Sequence, residues 1–241
     1  TVIWVAKEVP ANWKATMEAF MEAWHTVVTH PQILPFTGDC IGAYWTWGDN
    51  INVNNTPFGV MSPHVNPEGK TQQWIVDEFV KYNGRSADNY DGESAVDPFN
   101  IKVPDGMTAR EALGATMRKA YSEQAKQDLD YATDAELLDG LVYNVFPHFA
   151  PWGGFAPNIV YRWRPNGDDV DSCIMEVMIL KRVPDGEERP KPVPVHWLSE
   201  DEEWACAKEL PALGPVIDQD MGNMPSVHKG LKASGTGKVH L

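Results

Sequence analysis

Two neighbouring segments of alternating apolar and polar residues constrain the fold more than any other feature of the sequence. They are Ile159–Arg164 and Ser172–Val183, and the segment PNGDDVD between them has the composition of a turn. Alternation with period two is typical of a strand that buries one face. The pair therefore predicts an antiparallel hairpin.

Helical patterns lie on both sides of this hairpin. Between Asn12 and Thr29 apolar residues recur at helical spacing, which predicts a helix with one buried stripe. TQQWIVDEFVKYNG predicts a short amphipathic helix that ends at Gly84. SEDEEWACAKELPALG predicts a further helix with acidic residues in its first turn. The buried stripe of the helix predicted between Asn12 and Thr29 consists of Trp13, Met17, Phe20, Met21 and Trp24.

Capping boxes and turn-rich segments complete the prediction. Thr108 with Glu111, and Thr133 with Glu136, predict the starts of helices of roughly 20 and 12 residues. The segment 42–65 predicts strands around a turn, and the segments 85–105 and 184–195 and the tail SGTGKVHL predict loops. Helices and antiparallel strands in one chain predict a single α+β domain that spans residues 1–241.

Composition excludes several function classes. The 241 residues carry a formal net charge of −14, which argues against nucleic acid and anionic membranes as partners. No apolar run approaches the ~20 residues of a membrane span. Three widely spaced cysteines predict a reduced, cytoplasmic protein, and no CxxC, CxH or CxxH spacing is present to hold an iron–sulfur cluster.

His25 and His30 form a candidate metal motif at the end of the first predicted helix. Five helical residues turn through about 500°, so the two imidazoles would point ~140° apart in a straight helix. Pro31 disfavours helical geometry at His30, and a broken helix end would bring both rings to one point. With one carboxylate they would form the facial triad of non-haem Fe(II) oxygenases. The spacing alone fits a solvated helix face or a structural hydrogen-bonded pair better.

The segment NWKATMEAFMEAWHTVVTHP resembles the iron-binding segment of the catalytic α subunits of Rieske-type aromatic-ring-hydroxylating oxygenases. The resemblance implies that His25 and His30 bind iron, and that Glu22 links His25 to the electron donor. It departs from the family at Ala19, where many members have Asn. The third ligand implied is Asp220 rather than Asp218.

The assignment of Asp220 depends on a second motif. In the family, the third ligand lies eight residues before a Gln that opens a Gln-x-Gly-Leu-like segment. Here Asp220 precedes His228-Lys229-Gly230-Leu231 by the same spacing, with His228 in place of the usual Gln. Asp218 and Asp220 would lie about 200° apart on a helix, so that one of them can face the metal.

The resemblance extends from about residue 10 to about residue 234, and includes VFPHFAPW and IVYRWRPNGDDV, with His148 in place of the usual Asn. It implies the helix-grip fold of the START/Bet v 1 type. In that fold a curved antiparallel sheet wraps long helices around a hydrophobic cavity. The residues expected to line the cavity are Met17, Met21, Trp24, Phe146, Phe149, Trp152, Phe155 and Met178.

The function implied is hydroxylation of an apolar, aromatic substrate with O2 at mononuclear Fe(II). Electrons would pass from NAD(P)H through a reductase and ferredoxin to a Rieske [2Fe–2S] cluster, held by an N-terminal domain absent from this chain. The expected assembly is a homotrimer, with or without a β subunit. A Rieske monooxygenase or demethylase, and a non-catalytic module that binds a hydrophobic ligand, are the alternatives.

Overall fold

The computed structural model describes residues 1–87, 100–155 and 158–236. Strands and helices are numbered separately in chain order. The strands are β1 Ile3–Val9, β2 Ala43–Trp47, β3 Ile51–Thr56, β4 Gly140–Val145, β5 Phe149–Pro151, β6 Ile159–Asn166, β7 Asp169–Ile179 and β8 His196–Trp197. The helices are α1 Trp13–Ala19, α2 Thr26–Thr29, α3 Gln72–Ala87, α4 Ala109–Ala125, α5 Asp134–Leu138 and α6 Leu213–Ala233.

The eight strands form one sheet in the order β2-β3-β4-β5-β6-β7-β1-β8. Every neighbouring pair is antiparallel except β1 and β8, which are parallel. The predicted hairpin is confirmed as β6 and β7, with Tyr161 opposite Val177 and Trp163 opposite Met175. A large antiparallel sheet with several helices confirms the expected α+β class and helix-grip type.

The first core cluster joins one face of the sheet to α1 and α6. Because side chains alternate along β6 and β7, Trp163 and Met175 both point into this cluster and are fully buried. Met17 from α1 and Ile217 and Met224 from α6 pack against them. The apolar sides of the two helices are therefore held on the same sheet.

A second core cluster lies among the helices α3, α4 and α5. Val76, Leu113 and Leu137 come from these three helices, and Phe36 packs edge-on against Phe79 of α3. Both predicted capping boxes are present: the Thr108 and Thr133 side chains accept from the N–H groups of Glu111 and Glu136. Helix α4 has 17 residues, close to the length predicted.

The predicted continuous helix from Asn12 to Thr29 is wrong. Asn12 does cap the helix start, where its side chain accepts from the Lys14 N–H, but α1 ends at Ala19. The chain resumes as the four-residue α2. Glu22 explains the interruption, because its carboxylate accepts from the N–H groups of Trp24 and His25 and so competes with helical hydrogen bonding.

The predicted helix over SEDEEWACAKELPALG is also wrong. Only Trp204–Cys206 forms a short 3-10 turn there, and the long helix α6 begins at Leu213. The side chains of Trp204 and Leu210 are fully buried in the first cluster. The apolar spacing in this segment resembles that of an amphipathic helix, but it belongs to a turn whose apolar side chains enter the core.

Two further helix boundaries differ from the sequence prediction, and some strands were not predicted. The helix after Thr133 has five residues rather than 12, because β4 begins at Gly140 and pairs with β3. Helix α3 continues beyond Gly84 to Ala87. The strands β1 and β4 were not predicted, although β4 alternates between buried and partly buried residues.

Most of the predicted loop 85–105 and the end of the tail lie outside the described residues, and 184–195 is a loop as predicted.

Within the ranges that the structure describes, none of the helices combines the length and the apolar character required to cross a membrane.

Candidate metal centre

The break between α1 and α2 places the two histidines of the motif beside each other. His25 immediately precedes α2 and His30 immediately follows it. The centroids of their imidazole rings are 5.2 Å apart, with the rings nearly perpendicular. The expected convergence is therefore reached by an early interruption of the helix, and His30 lies in the next turn before the 3-10 segment Pro31–Ile33.

Asp220 of α6 completes the cluster. Its Oδ1 atom lies 2.8 Å from His30 Nε2 and 3.4 Å from His25 Nε2. One donor atom from each of the three residues lies within 4.8 Å of the other two. Asp220 and His30 are buried, and His25 is partly exposed. Two imidazoles and one carboxylate thus converge on a single point.

The outer nitrogens of the two rings are hydrogen-bonded to other side chains. His25 Nδ1 bonds to Glu22 Oε1, and His30 Nδ1 lies 2.9 Å from Gln219 Oε1. The same Gln219 oxygen accepts from Gln32 Nε2 at 2.7 Å. Since Glu22 and Gln219 offer acceptors, each ring donates through Nδ1, and its Nε2 is directed at Asp220.

This arrangement fits a metal ion. A neutral imidazole that donates through Nδ1 presents a lone pair at Nε2, and here two such lone pairs would face one carboxylate oxygen. A shared cation, or a proton on each ring, is required to make those contacts favourable. An outer acceptor on each histidine is the usual support of a ligating imidazole. Two imidazoles and one carboxylate suit Fe(II) with open coordination positions.

Electrostatics at the cluster favour charged groups. Burial of His25 opposes its charged form, but the contacts with Asp220 and Glu22 outweigh it and raise the pKa of the imidazole to about 9. Burial of Asp220 likewise opposes ionisation, yet the contacts with His25 and His30 hold the pKa of its carboxyl below its usual value. Burial and the charge of Asp220 raise the pKa of Tyr82 to about 12. Tyr82 of α3 therefore keeps its proton beside the site.

Asp218 and Asp220 have different roles, as the helix geometry predicts. Asp218 Oδ1 accepts from the Trp204 N–H at 2.7 Å, and its Oδ2 accepts from the Ala205 N–H at 2.9 Å. Asp218 therefore attaches α6 to the preceding turn, and Asp220 faces the histidines.

Glu22 lies next to His25 and is largely buried, with 15% of its side chain exposed. It does not pair with Lys14, whose ammonium group contacts Glu18 instead. The Glu22 carboxylate also lies near Tyr44: burial first, and then the charge of Glu22, raise the pKa of the Tyr44 hydroxyl. That hydroxyl accepts from the Ala23 N–H at 3.1 Å.

Three of the predicted cavity residues line one cleft. Met17, Met21 and Phe146 border a space of about 300 Å³ between α1 and the strands β2 to β4. Met17 and Met21 are buried, and Phe146 is nearly half exposed. The remaining lining is mostly polar and consists of Lys14, Glu18, Thr46, Gly48, Asp49, Asn50, Ile51, Asn52 and Asn144.

The other five predicted cavity residues lie outside this cleft. Trp24 is 68% exposed and stacks on Tyr44. Phe149, also exposed, lies opposite Arg162 on the sheet, and Met178 lies on the opposite face of β7 from Met175. Trp152 packs against the first cluster and Phe155 against the second.

His228 is not at the cluster. It lies two turns further along α6, where its Nε2 is 2.9 Å from Asp171 Oδ1 and its Nδ1 accepts from the Asn12 N–H at 3.4 Å. His228 therefore connects α6 to the starts of β7 and α1. Gln219 and Tyr82 were not identified from the sequence. The position of Gln219 next to Asp220 was the available signal, and Tyr82 gave none.

Comparison with known proteins identifies the family of this chain. The family model for the catalytic domain of ring-hydroxylating α subunits matches residues 2–240. The chain therefore belongs to that family, which consists of Rieske-type oxygenases and is known for non-haem iron and a Rieske cluster. The resemblance that was inferred from the histidine motif is confirmed.

A search of solved structures finds proteins similar to this chain. One similar solved structure is the quaternary ammonium Rieske monooxygenase CntA in complex with an inhibitor. The two share 14% sequence identity with a TM-score of 0.40, over 97% of this chain and 41% of that chain. The present chain thus spans less than half the length of that protein. A comparison with curated proteins finds no match.

The role of Asp218 in attaching α6 can be tested by Asp218→Ala. Two backbone N–H groups would lose their acceptor, so we expect the free energy of unfolding to fall by about 1–3 kcal/mol. Urea unfolding at neutral pH measures this change. Asp201→Ala, which removes an exposed acid from the same preceding segment, is the control and should change stability little. An equal loss in both variants would contradict the assignment.

Proposed function

We propose that this chain is the catalytic domain of an oxygenase that hydroxylates an apolar, aromatic substrate with O2. The convergence of His25, His30 and Asp220 carries the proposal, because these residues would hold a mononuclear Fe(II) ion. When bound, the iron would supply the redox chemistry that activates O2. The proposed reaction is ring dioxygenation, and monooxygenation or demethylation of a substrate would require the same three ligands.

The protein side chains would prepare the site before the metal binds. Glu22 and Gln219 accept from the two Nδ1 atoms, which leaves the Nε2 lone pairs available for coordination. Asp220 supplies one negative charge, and burial excludes competing water from it. Tyr82 keeps its proton next to Asp220, so the site would carry a single carboxylate charge from the ligands.

Glu22 would also connect the site to its electron donor. The proposed donor is a Rieske [2Fe–2S] cluster on a domain outside residues 1–241, belonging to a neighbouring subunit of a homotrimer. It would be reduced by NAD(P)H through a reductase and ferredoxin. A carboxylate has about four acceptor positions. Glu22 uses three of them, for His25 Nδ1 and for the Trp24 and His25 N–H groups, which leaves one for a donor across an interface.

The cleft beside α1 is the proposed substrate site. Met17 and Met21 offer a flexible apolar wall, and Phe146 offers an aromatic face. Met21 borders the cleft and is adjacent in sequence to Glu22, whose carboxylate bonds to His25. The polar residues opposite would orient a substrate that carries one or two polar groups. The proposal places the enzyme in the cytoplasm.

Iron binding provides the first test. The chain reconstituted anaerobically with Fe(II) should retain about one iron per chain, as the triad predicts. His25→Ala, His30→Ala and Asp220→Ala should each lose the iron but keep the far-ultraviolet circular dichroism of the parent. Asp218→Ala is the matched control and should keep the iron. Retention of iron by Asp220→Ala would show that the proposed ligand set is wrong, and absence of iron from the parent would favour a hydrophobic-ligand carrier.

Turnover of Glu22→Gln tests the electron path. In the holoenzyme that contains the Rieske domain, the substitution should lower turnover by about 10–100-fold, because outer-shell partners have effects of this size. Iron content and trimer formation should stay near those of the parent. Glu187→Gln, which alters a carboxylate paired with Lys126 outside both the histidine cluster and the cleft, is the control and should keep full turnover. Unchanged turnover in Glu22→Gln at matched iron loading would exclude the electron-path role.

Ligand-induced thermal shift tests the substrate class. Aromatic acids, polycyclic hydrocarbons or methoxyarenes should raise the melting temperature, and a ligand at 100 times its Kd should stabilise the protein by about 2.7 kcal/mol. Phe146→Ala should reduce this shift. Phe149→Ala removes an equally exposed ring outside the cleft and should not. A preference for sugars or nucleotides, or equal effects of both variants, would contradict the proposed site.

A further inference from the structure

A second group of metal-ligating side chains lies apart from the histidine triad. It consists of Asp39, Cys40 and His64. Cys40 Sγ is 3.4 Å from His64 Nε2 and 3.6 Å from Asp39 Oδ2, and the last two atoms are 4.0 Å apart. A thiol, an imidazole and a carboxylate therefore meet at one place on the surface.

The geometry differs from that of a nucleophilic relay. In a Cys–His–Asp relay the thiol and the carboxylate contact opposite nitrogens of the imidazole, so that a proton can pass through the ring. Here Cys40 and Asp39 both approach the same His64 nitrogen, Nε2. Three donor atoms that face one common point form the geometry of a coordination site.

The distances suit a tetrahedral zinc ion. With Zn–S bonds of about 2.3 Å and Zn–N or Zn–O bonds of about 2.0 Å, tetrahedral ligands lie roughly 3.5 Å apart when one is sulfur and roughly 3.3 Å apart otherwise. The two sulfur distances of 3.4 and 3.6 Å agree with this. The nitrogen–oxygen distance must shorten from 4.0 Å, and half of the His64 side chain is exposed to solvent.

The Asp39 carboxylate is incompletely paired. It is buried, with 8% of its surface exposed, and its Oδ1 atom has no hydrogen-bond partner. In the part of the chain that the structure describes, its ion-pair contact is His64 at 4.0 Å, and no lysine or arginine lies within that distance. A buried carboxylate with one unpaired oxygen is costly, and a metal ion would compensate its charge.

The backbone holds the two ligand-bearing loops together without a metal. The Gly38 N–H donates to the Pro57 carbonyl at 2.8 Å, and the Ser62 N–H donates to the Leu34 carbonyl at 3.0 Å. The Ser62 hydroxyl in turn accepts from the His64 N–H at 3.1 Å. The ligands are therefore brought together by the fold, which reduces the entropy that metal binding must overcome.

We propose that Asp39, Cys40 and His64 bind a zinc ion, with water in the fourth position. Thiolate and imidazole ligands together select zinc over the harder divalent cations. The ion would clamp the loop that follows the iron-binding segment to the loop that precedes α3.

Cobalt(II) substitution provides a test that the triad cannot mimic. Thiolate coordination to Co(II) produces a near-ultraviolet charge-transfer band, and the triad contains no sulfur. The full chain titrated with Co(II) under reducing conditions should develop this band, and Cys40→Ser should abolish it. Cys206→Ser removes another exposed free thiol and should keep it. Absence of the band in the parent, or its loss in Cys206→Ser, would overturn the proposal.

Zinc retention gives a second readout. In an Asp220→Ala background, which removes one triad ligand, the chain should retain about one Zn(II) after gel filtration and melt at a higher temperature with zinc than without it. His64→Ala and Asp39→Asn should lose both effects. Retention of zinc by all of the cluster variants would overturn the proposal. The cobalt and zinc results do not depend on occupancy of the triad, so they are independent of the iron test.

Discussion

The hydrogen bonds of one carboxylate determine where the first helix is interrupted and how His25 and His30 come together. Glu22 accepts from two successive backbone N–H groups and stops the helix that its sequence would otherwise continue. The same side chain holds the outer nitrogen of His25. Without the interruption, His25 and His30 would point about 140° apart, and no single metal could reach both rings. The other features of the centre depend on this turn.

The long helix α6 provides the opposite side of the centre. Asp218 and Asp220 lie two residues apart and so face different directions, one towards the turn at Trp204 and the other towards the histidines. Gln219, between them, reaches His30. Three successive residues therefore attach the helix, orient a ring and supply a carboxylate. A shift of α6 by one residue would disturb all three functions at once.

The sheet fixes the position of the segment with the two histidines relative to helix α6. Helices α1 and α6 both bury apolar residues in the first cluster, against β6 and β7. The histidines and Asp220 lie on segments anchored to the same surface, so their separation is set by close packing, which resists deformation. The second cluster adds α3, and with it Tyr82, beside Asp220. His30 and Asp220, two of the proposed metal ligands, are thus separated by 190 residues in sequence but joined by one core.

Much of the fold, and the grouping of the three proposed ligands, could be predicted from the sequence, because most of those signals are local. The hairpin of β6 and β7, the capping boxes and the histidine motif each depend on residues a few positions apart. The selection of Asp220 over Asp218 needed the family motif. The predictions failed where a distant partner decided the outcome: Trp204 and Leu210 have helical spacing but form a turn inserted in the core.

The amino-acid sequence by itself determined which segments carry the proposed ligands, since imidazole and carboxylate chemistry and helical spacing are properties of short stretches. Only the tertiary structure decided where the first helix breaks, which residues support the histidine rings, and which apolar residues line the cleft. Periodicity shows that Met17, Phe149 and Met178 are apolar positions on regular elements. It cannot show which face of the sheet each of them meets, because that depends on strand pairing between segments far apart in the chain.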